Sequence, residues 1–182
     1  MATVVLAYNE TYQLRIYTSE NSPLDGRLIT FDDIQAAYVS HTAVHEPTPI
    51  YFRRAPPELS APAPNMTFIV VPSPSTPPVS SKANNQYLAL QGPSGKSEYR
   101  IVALDNPPAV GIGATISYNA WLVKEDGGRK FLRYADDSGG ASRWVLSKKW
   151  WGWILWWYEP TPANANDLGT YMAVDVEVEE AE

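Results

Sequence analysis

The stretch Gln86-Tyr-Leu-Ala-Leu-Gln-Gly-Pro-Ser-Gly-Lys-Ser-Glu-Tyr-Arg-Ile101 contains two short segments separated by a polar turn. Each segment has an aromatic residue, Tyr87 or Tyr99, close to aliphatic residues. Two further segment pairs share this shape: Ala37-Tyr-Val-Ser40 with Ile50-Tyr-Phe-Arg53, and Lys130-Phe-Leu-Arg133 with Arg143-Trp-Val-Leu146. The leading aromatics, Tyr38, Tyr87 and Phe131, are 49 and 44 residues apart. A repeat of this length indicates three similar units.

Short runs rich in Tyr, Val, Ile, Phe and Trp recur along the chain between clusters of Gly, Pro, Asn or Ser, which is the pattern of strands and turns. Sixteen prolines leave little room for a long helix. One short helical turn is a candidate at Phe31–Tyr38. The predicted strands are Tyr12–Tyr17, Leu28–Phe31, Ala37–Ser40, Ile50–Arg53, Thr67–Val71, Tyr87–Leu90, Tyr99–Ala103, Trp121–Lys124, Phe131–Tyr134, Trp144–Leu146, Trp153–Trp157 and Tyr171–Val176.

Three units of about four strands each predict an all-β protein with the β-trefoil fold, in which a closed barrel carries a cap of hairpins. We expect one domain over residues 1–182. A second self-match, between the segments that begin near Val4, Ala120 and Ile154, leaves the register of the repeat open. Another closed β-barrel, of the lipocalin or jelly-roll type, is the alternative.

Two proline-rich segments, near 55–64 and 72–81, are expected to be surface loops. Ligand motifs for a proline-binding partner are the other interpretation of them. The last residues, from Val176 onward, begin as an alternating strand and are expected to fray into an acidic tail.

The composition excludes several classes of function. The 14 Lys and Arg stand against 20 Asp and Glu, so the net charge of −6 disfavours a nucleic-acid partner. Cysteine is absent, which excludes disulfides, thiolate metal sites and a Cys nucleophile. With no export signal and no apolar run long enough to span a bilayer, we expect a cytoplasmic protein that does not insert into a membrane.

We expect no enzyme, no cofactor and no metal. The chain has two histidines, His41 and His45, both in an expected loop. Adjacent carboxylates such as Asp32 and Asp33 would point to opposite faces of a strand, so they do not form an acid–base pair. The Gly-rich segments 125–128 and 136–140 are expected to be hairpin turns.

Five of the seven tryptophans fall within eight residues: Trp150, Trp151, Trp153, Trp156 and Trp157. Alternation along a strand cannot bury all of them on one face, although Trp153, Leu155 and Trp157 alternate as an inward face should. Core filling is one interpretation. A platform for stacking sugars, or a patch that binds a protein or a lipid surface, is the other.

The stretch Tyr12-Gln-Leu-Arg-Ile-Tyr-Thr-Ser-Glu-Asn-Ser-Pro23, the turn Asp25-Gly26 and the segment Glu46-Pro-Thr-Pro49 resemble the opening of the mycocypins. These are the clitocypin and macrocypin β-trefoil inhibitors of cysteine proteases from mushroom fruiting bodies. The resemblance covers roughly the first 55 to 70 residues.

The resemblance implies a defence protein that covers the active-site cleft of a papain-like cysteine protease with two adjacent loops. Carried over by position, the first loop is Asn21-Ser22-Pro23-Leu24-Asp25-Gly26, and the second includes Val44, His45 and Glu46. A separate loop against asparaginyl endopeptidase would present Asn84 or Asn85.

We therefore expect a protease inhibitor that acts by steric occlusion. A carbohydrate-binding lectin is the first alternative, with the five clustered tryptophans as its platform. A module that uses the same segment to bind a partner or a lipid surface is the second.

Overall fold

The computed structural model describes residues 1–18, 22–31, 37–40, 49–74, 86–93, 98–105, 112–134, 143–159 and 171–182. The described residues form fourteen strands and one short 3-10 turn, Pro57–Leu59. The strands are β1 (Ala2–Val4), β2 (Tyr12–Tyr17), β3 (Thr30–Phe31), β4 (Ala37–Ser40), β5 (Tyr51–Arg54), β6 (Phe68–Val71), β7 (Gln86–Pro93), β8 (Glu98–Asp105), β9 (Ala114–Ser117), β10 (Trp121–Asp126), β11 (Arg129–Tyr134), β12 (Arg143–Lys149), β13 (Gly152–Tyr158) and β14 (Tyr171–Glu180).

Eight strands close an antiparallel barrel in the order β2-β5-β6-β7-β8-β13-β12-β14. The others attach to its rim: β1, β10 and β11 join β14, the pair β3 and β4 joins β13, and β9 joins β7. The predicted all-β class and the closed barrel are confirmed. Each of the twelve predicted strands overlaps an observed one, and β1 and β9 are additional.

A chain of aromatic rings runs through the barrel core. Neighbouring ring centroids lie 4.9 to 6.5 Å apart from strand to strand. The six rings, in order of contact, are Tyr12, Phe52, Phe68, Trp121, Trp144 and Trp157. All six are buried, so the contacts between them tie together strands that are distant in the sequence.

The polar atoms of these buried rings form hydrogen bonds. The Nε1 of Trp121 donates to the Leu88 carbonyl at 2.8 Å, and the Nε1 of Trp144 donates to the Leu132 carbonyl at 2.7 Å. The Tyr12 hydroxyl donates to the Glu10 carboxylate and accepts from the Ala7 amide. Burial is the main cause that raises the pKa of Tyr12. Each indole bond therefore fixes a ring against a neighbouring strand.

Strand β14 continues to Glu180, further than predicted, and its acidic residues lie within the sheet. Val174, Val176 and Val178 face the core, while the carboxylates between them face outward. Each outward carboxylate pairs with a base on a neighbouring strand: Asp175 with Arg133, Glu177 with Arg129 and Glu179 with Arg15. Hydrogen bonding from Arg15 lowers the pKa of the Glu179 carboxyl.

The short helix predicted at Phe31–Tyr38 is wrong at both ends. Phe31 belongs to β3, Ala37 and Tyr38 belong to β4, and the two strands pair Phe31 with Ala37. Ladder hydrogen bonds take the backbone groups that a helix would need. Residues 32–36 lie outside the described ranges.

The predicted turn at 125–128 is confirmed, because Gly127 and Gly128 have φ of +58° and +81° between β10 and β11. The turn expected at 136–140 lies outside the described residues. The three leading aromatics of the sequence repeat lie in strands with different positions in the sheet: β4 lies at the rim, β7 lies in the barrel, and β11 lies in the group attached to β14.

The first proline-rich segment contains the 3-10 turn, and the second is anchored where it begins. Buried Arg53 donates to the Pro74 carbonyl at 2.9 Å and to the Thr11 hydroxyl at 2.7 Å. Residues 75–81 of the second segment are not among the described residues.

We predict that Trp121→Phe lowers the free energy of unfolding by about 2 kcal/mol or more, since it removes both ring volume and the donor to Leu88. The matched control is Trp150→Phe, the same change at a side chain that is 91% exposed. Urea unfolding followed by circular dichroism measures both. Equal midpoints for the two variants would contradict a core built on Trp121.

Candidate functional site

The connection that follows β2 forms a compact turn over residues 22–27. The Asp25 amide donates to the Ser22 carbonyl at 3.0 Å, and the Arg27 amide donates to the Leu24 carbonyl at 3.1 Å. Gly26 has φ of +72°, a conformation in which a β-carbon is strained. We call residues 22–27 the first loop.

The first loop is attached to the barrel by a buried side chain and by backbone hydrogen bonds to β2. Leu24 is 5% exposed and belongs to the main hydrophobic core. The Gly26 amide donates to the Ile16 carbonyl at 2.8 Å, and the Ile16 amide donates to the Arg27 carbonyl at 2.9 Å. Pro23, Asp25 and Gly26 remain exposed above this attachment. The loop therefore exposes a short edge that contains the apolar Pro23 and the polar Asp25. The backbone of this edge is held by the hydrogen bonds described above.

Arg27 links the first loop to strand β4. Its Nε donates to the Pro23 carbonyl at 3.0 Å within the loop, and its Nη1 donates to the Ser40 carbonyl at 3.0 Å. On the other side, Arg15 donates to the Gly26 carbonyl at 2.9 Å. Two guanidinium groups thus hold the loop backbone through fixed, planar donors.

The tryptophan cluster does not form one platform. Trp157 is fully buried in the core, where its Nε1 donates to Glu159 at 3.1 Å. Trp153 packs half-buried against the same core, as its place on the face of Leu155 and Trp157 predicts. The platform expected from Trp150, Trp151, Trp153, Trp156 and Trp157 together is therefore wrong. Trp150 and Trp151 precede β13, and alternation along β13 places Trp156 on the face opposite to Trp153 and Trp157.

Trp156 lies on the opposite face of β13 and is half-buried. The Arg100 guanidinium stacks over its ring at 4.5 Å, and its Nε1 donates to the Ser147 hydroxyl at 2.9 Å. Ile154 and Tyr158 are buried on this outward face too. Both faces of β13 are consequently covered over much of its length.

Trp150 and Trp151 form the turn between β12 and β13. Trp150 is 91% exposed, and Lys148 and Lys149 before it are exposed as well. Trp151 contacts Tyr38 edge-to-face, with ring centroids 5.6 Å apart. We call residues 148–151 the tryptophan turn.

The structure brings the first loop and the tryptophan turn to one edge of the molecule. Gly152 lies opposite Ser40 in the pairing of β13 with β4. Ser40 is also the residue whose carbonyl accepts from Arg27. No pattern in the sequence indicates this meeting, since Ser40 and Gly152 are far apart in the chain and pair only in the folded sheet.

Several predicted site residues lie outside the described ranges, so their placement is not part of this geometry: Asn21, Val44, His45, Glu46, Asn84 and Asn85. Val44, His45 and Glu46 belong to the segment that begins directly after Ser40. Among the described residues, no group of three or more His, Asp or Glu side chains is placed to hold a metal ion. In the same ranges no helix has the length and apolar character needed to cross a membrane.

Comparison of the chain with protein-family models, with curated proteins and with solved structures finds no match.

We predict that Gly152→Ala displaces the tryptophan turn. A β-carbon at this position would lie 2.8 Å from the Val39 carbonyl oxygen, so β13 must move away from β4. The expected cost is about 1–3 kcal/mol in the free energy of unfolding. The NMR signal of the Trp151 indole should shift with it, as the contact with Tyr38 is lost.

Gly26→Ala is the matched control, because nothing lies within 4 Å of a β-carbon there and only the positive φ is strained. It should cost about 1 kcal/mol and leave the Trp151 signal in place. A Gly152→Ala variant with an unchanged Trp151 signal would show that close approach to β4 does not position the turn.

Proposed function

We propose that this protein is a β-trefoil that inhibits papain-like cysteine proteases by laying the preformed first loop over the active-site cleft. The trefoil proposal is supported by a pairing pattern that occurs three times. Three hairpins begin at Thr30, Gln86 and Arg143, which are 56 and 57 residues apart. These are the pairs β3 with β4, β7 with β8, and β12 with β13.

In each of the three units, the first strand of the hairpin also pairs with a later segment of its own unit. Thr30 bridges Pro49, β7 pairs with β9, and β12 pairs with β14. The hairpins meet at β13, which pairs with both β4 and β8. A trefoil cap is built from three hairpins, and the spacing of 56 and 57 residues supports the proposal better than the spacing of 49 and 44.

The observation that carries the inhibitor proposal is the order of the first loop. Its backbone is held by two internal turn bonds, by the bonds to Ile16 and by the buried Leu24 side chain. A loop that is ordered before binding loses little conformational entropy in the complex. A held backbone also resists being drawn into the extended form that a protease cleaves.

The second support for the inhibitor proposal is that the first loop lies next to the strand that leads into residues 41–48. The resemblance to mycocypins implies two neighbouring loops over the cleft, and Arg27 ties the first loop to Ser40, which immediately precedes 41–48. The two segments therefore start from one edge of the barrel. In this proposal Pro23 and Asp25 touch the walls of the cleft, and Leu24 positions them from below.

We predict that the protein inhibits papain or a cathepsin L-type enzyme at submicromolar concentration, measured by hydrolysis of a fluorogenic substrate. The double variant Pro23→Ala/Asp25→Ala should weaken inhibition at least about tenfold, since it removes the exposed contacts, a rigid backbone position and the Asp25 carboxylate that accepts from the Thr18 amide at 2.9 Å. Mass spectrometry after incubation should find the chain intact.

Asp126→Ala is the control, because Asp126 is equally exposed in the turn between β10 and β11. It should inhibit like the unsubstituted protein. Absence of inhibition at tens of micromolar by the unsubstituted protein would overturn the proposal.

Carbohydrate binding is the second candidate function, favoured by the almost fully exposed ring of Trp150. Flat aromatic rings stack on the apolar face of a pyranose. If the protein is a lectin, glycans should quench its tryptophan fluorescence and it should not inhibit proteases.

A further inference from the structure

The tryptophan turn exposes an aromatic side chain that the fold does not use. Tryptophan is among the residues that proteins bury most completely on average, yet Trp150 is 91% exposed. Its neighbour Trp151 is half-buried against Tyr38, and Trp157 lies in the core. Trp150 alone among the five clustered tryptophans therefore offers most of its apolar surface to a partner.

The turn is held in position. Trp151 packs on Tyr38, and Gly152 lies so close to the Val39 carbonyl that no other residue fits without movement. A presented ring on an ordered turn has a small entropic cost of binding. The first loop shares this property, since its backbone is also ordered before binding.

The turn and the first loop are close enough to contact one partner. Arg27 reaches Ser40, Ser40 lies opposite Gly152, and Trp150 is two residues from Gly152. Strand spacing and residue length keep Trp150 within roughly 20 Å of the first loop. A protein interface of ordinary size, about 800 Å² on each partner, covers both.

The chemistry of the turn favours a protein over a sugar. Sugar hydroxyls need acceptors as well as donors around the stacking ring, and a site for them is usually concave. Trp150 instead follows Lys148 and Lys149, whose ammonium groups only donate. Tryptophan is enriched at the centre of protein interfaces, and lysines beside it favour a partner surface that is acidic at the rim.

We infer that Trp150 is a second anchor for the protease, inserting into an apolar depression bordered by Asp or Glu outside the active-site cleft, while Lys148 and Lys149 face those carboxylates. This inference rests on the proposed function and names a further contact of the same complex. Affinity is then divided between the cleft, which the first loop fills, and a surface of the protease beside it.

The test is a comparison of Trp150→Ala with the unsubstituted protein in the titration against papain and the cathepsin L-type enzyme. The dissociation constant should rise at least about 30-fold, the size expected for a central tryptophan. Ile112→Ala is the control, because Ile112 is also fully exposed but precedes β9. The double variant Lys148→Ala/Lys149→Ala should slow association and flatten its dependence on salt.

The outcomes separate the inference from the proposed function. Inhibition that is equal for Trp150→Ala and the unsubstituted protein would overturn the anchor and leave the first loop as inhibitor. No inhibition by the unsubstituted protein would overturn both. A change of Trp150 fluorescence with glycans or with phosphatidylserine vesicles, without a loss of inhibition in Trp150→Ala, would also overturn the anchor.

Discussion

The contact between Trp121 and its neighbours in the core is the constraint on which the other parts depend. Its ring stacks on Trp144 at 6.5 Å and on Phe68 at 6.2 Å, and its Nε1 holds the backbone of β7. These contacts connect β10 with β6, β7 and β12, strands that lie far apart in the sequence. A barrel whose strands come from distant parts of a chain closes only when such long-range contacts compensate the entropy of bringing them together.

The candidate binding edge takes its geometry from that core. Leu24 belongs to the same hydrophobic cluster as Trp121, so the first loop moves only if the core moves. The tryptophan turn is placed by β13, whose Leu155 and Trp157 lie in the cluster as well. The first loop and the tryptophan turn are thereby held in a fixed position relative to each other. A partner that contacts both would require this.

The clearest strand predictions rest on alternation. In β2 and β14 buried positions alternate with less buried ones, and this alternation is visible in the residues themselves. The tryptophan cluster could not be assigned in this way, because Ile154, Leu155, Trp157 and Tyr158 are buried on both faces of β13. Short β1 and β9 have no such pattern. The meeting of Ser40 with Gly152 depends on pairing between distant residues, which no local pattern encodes.

The occlusion proposal requires that the core holds the first loop in its binding shape before any partner arrives. Backbone ¹⁵N relaxation of the free protein at the amides of Asp25, Gly26 and Arg27 measures this order. We expect order parameters near 0.85, equal to those of β2, and slow exchange of the Gly26 amide that bonds to Ile16. Order parameters below about 0.6 at these amides would contradict a preformed loop and, with it, the occlusion proposal.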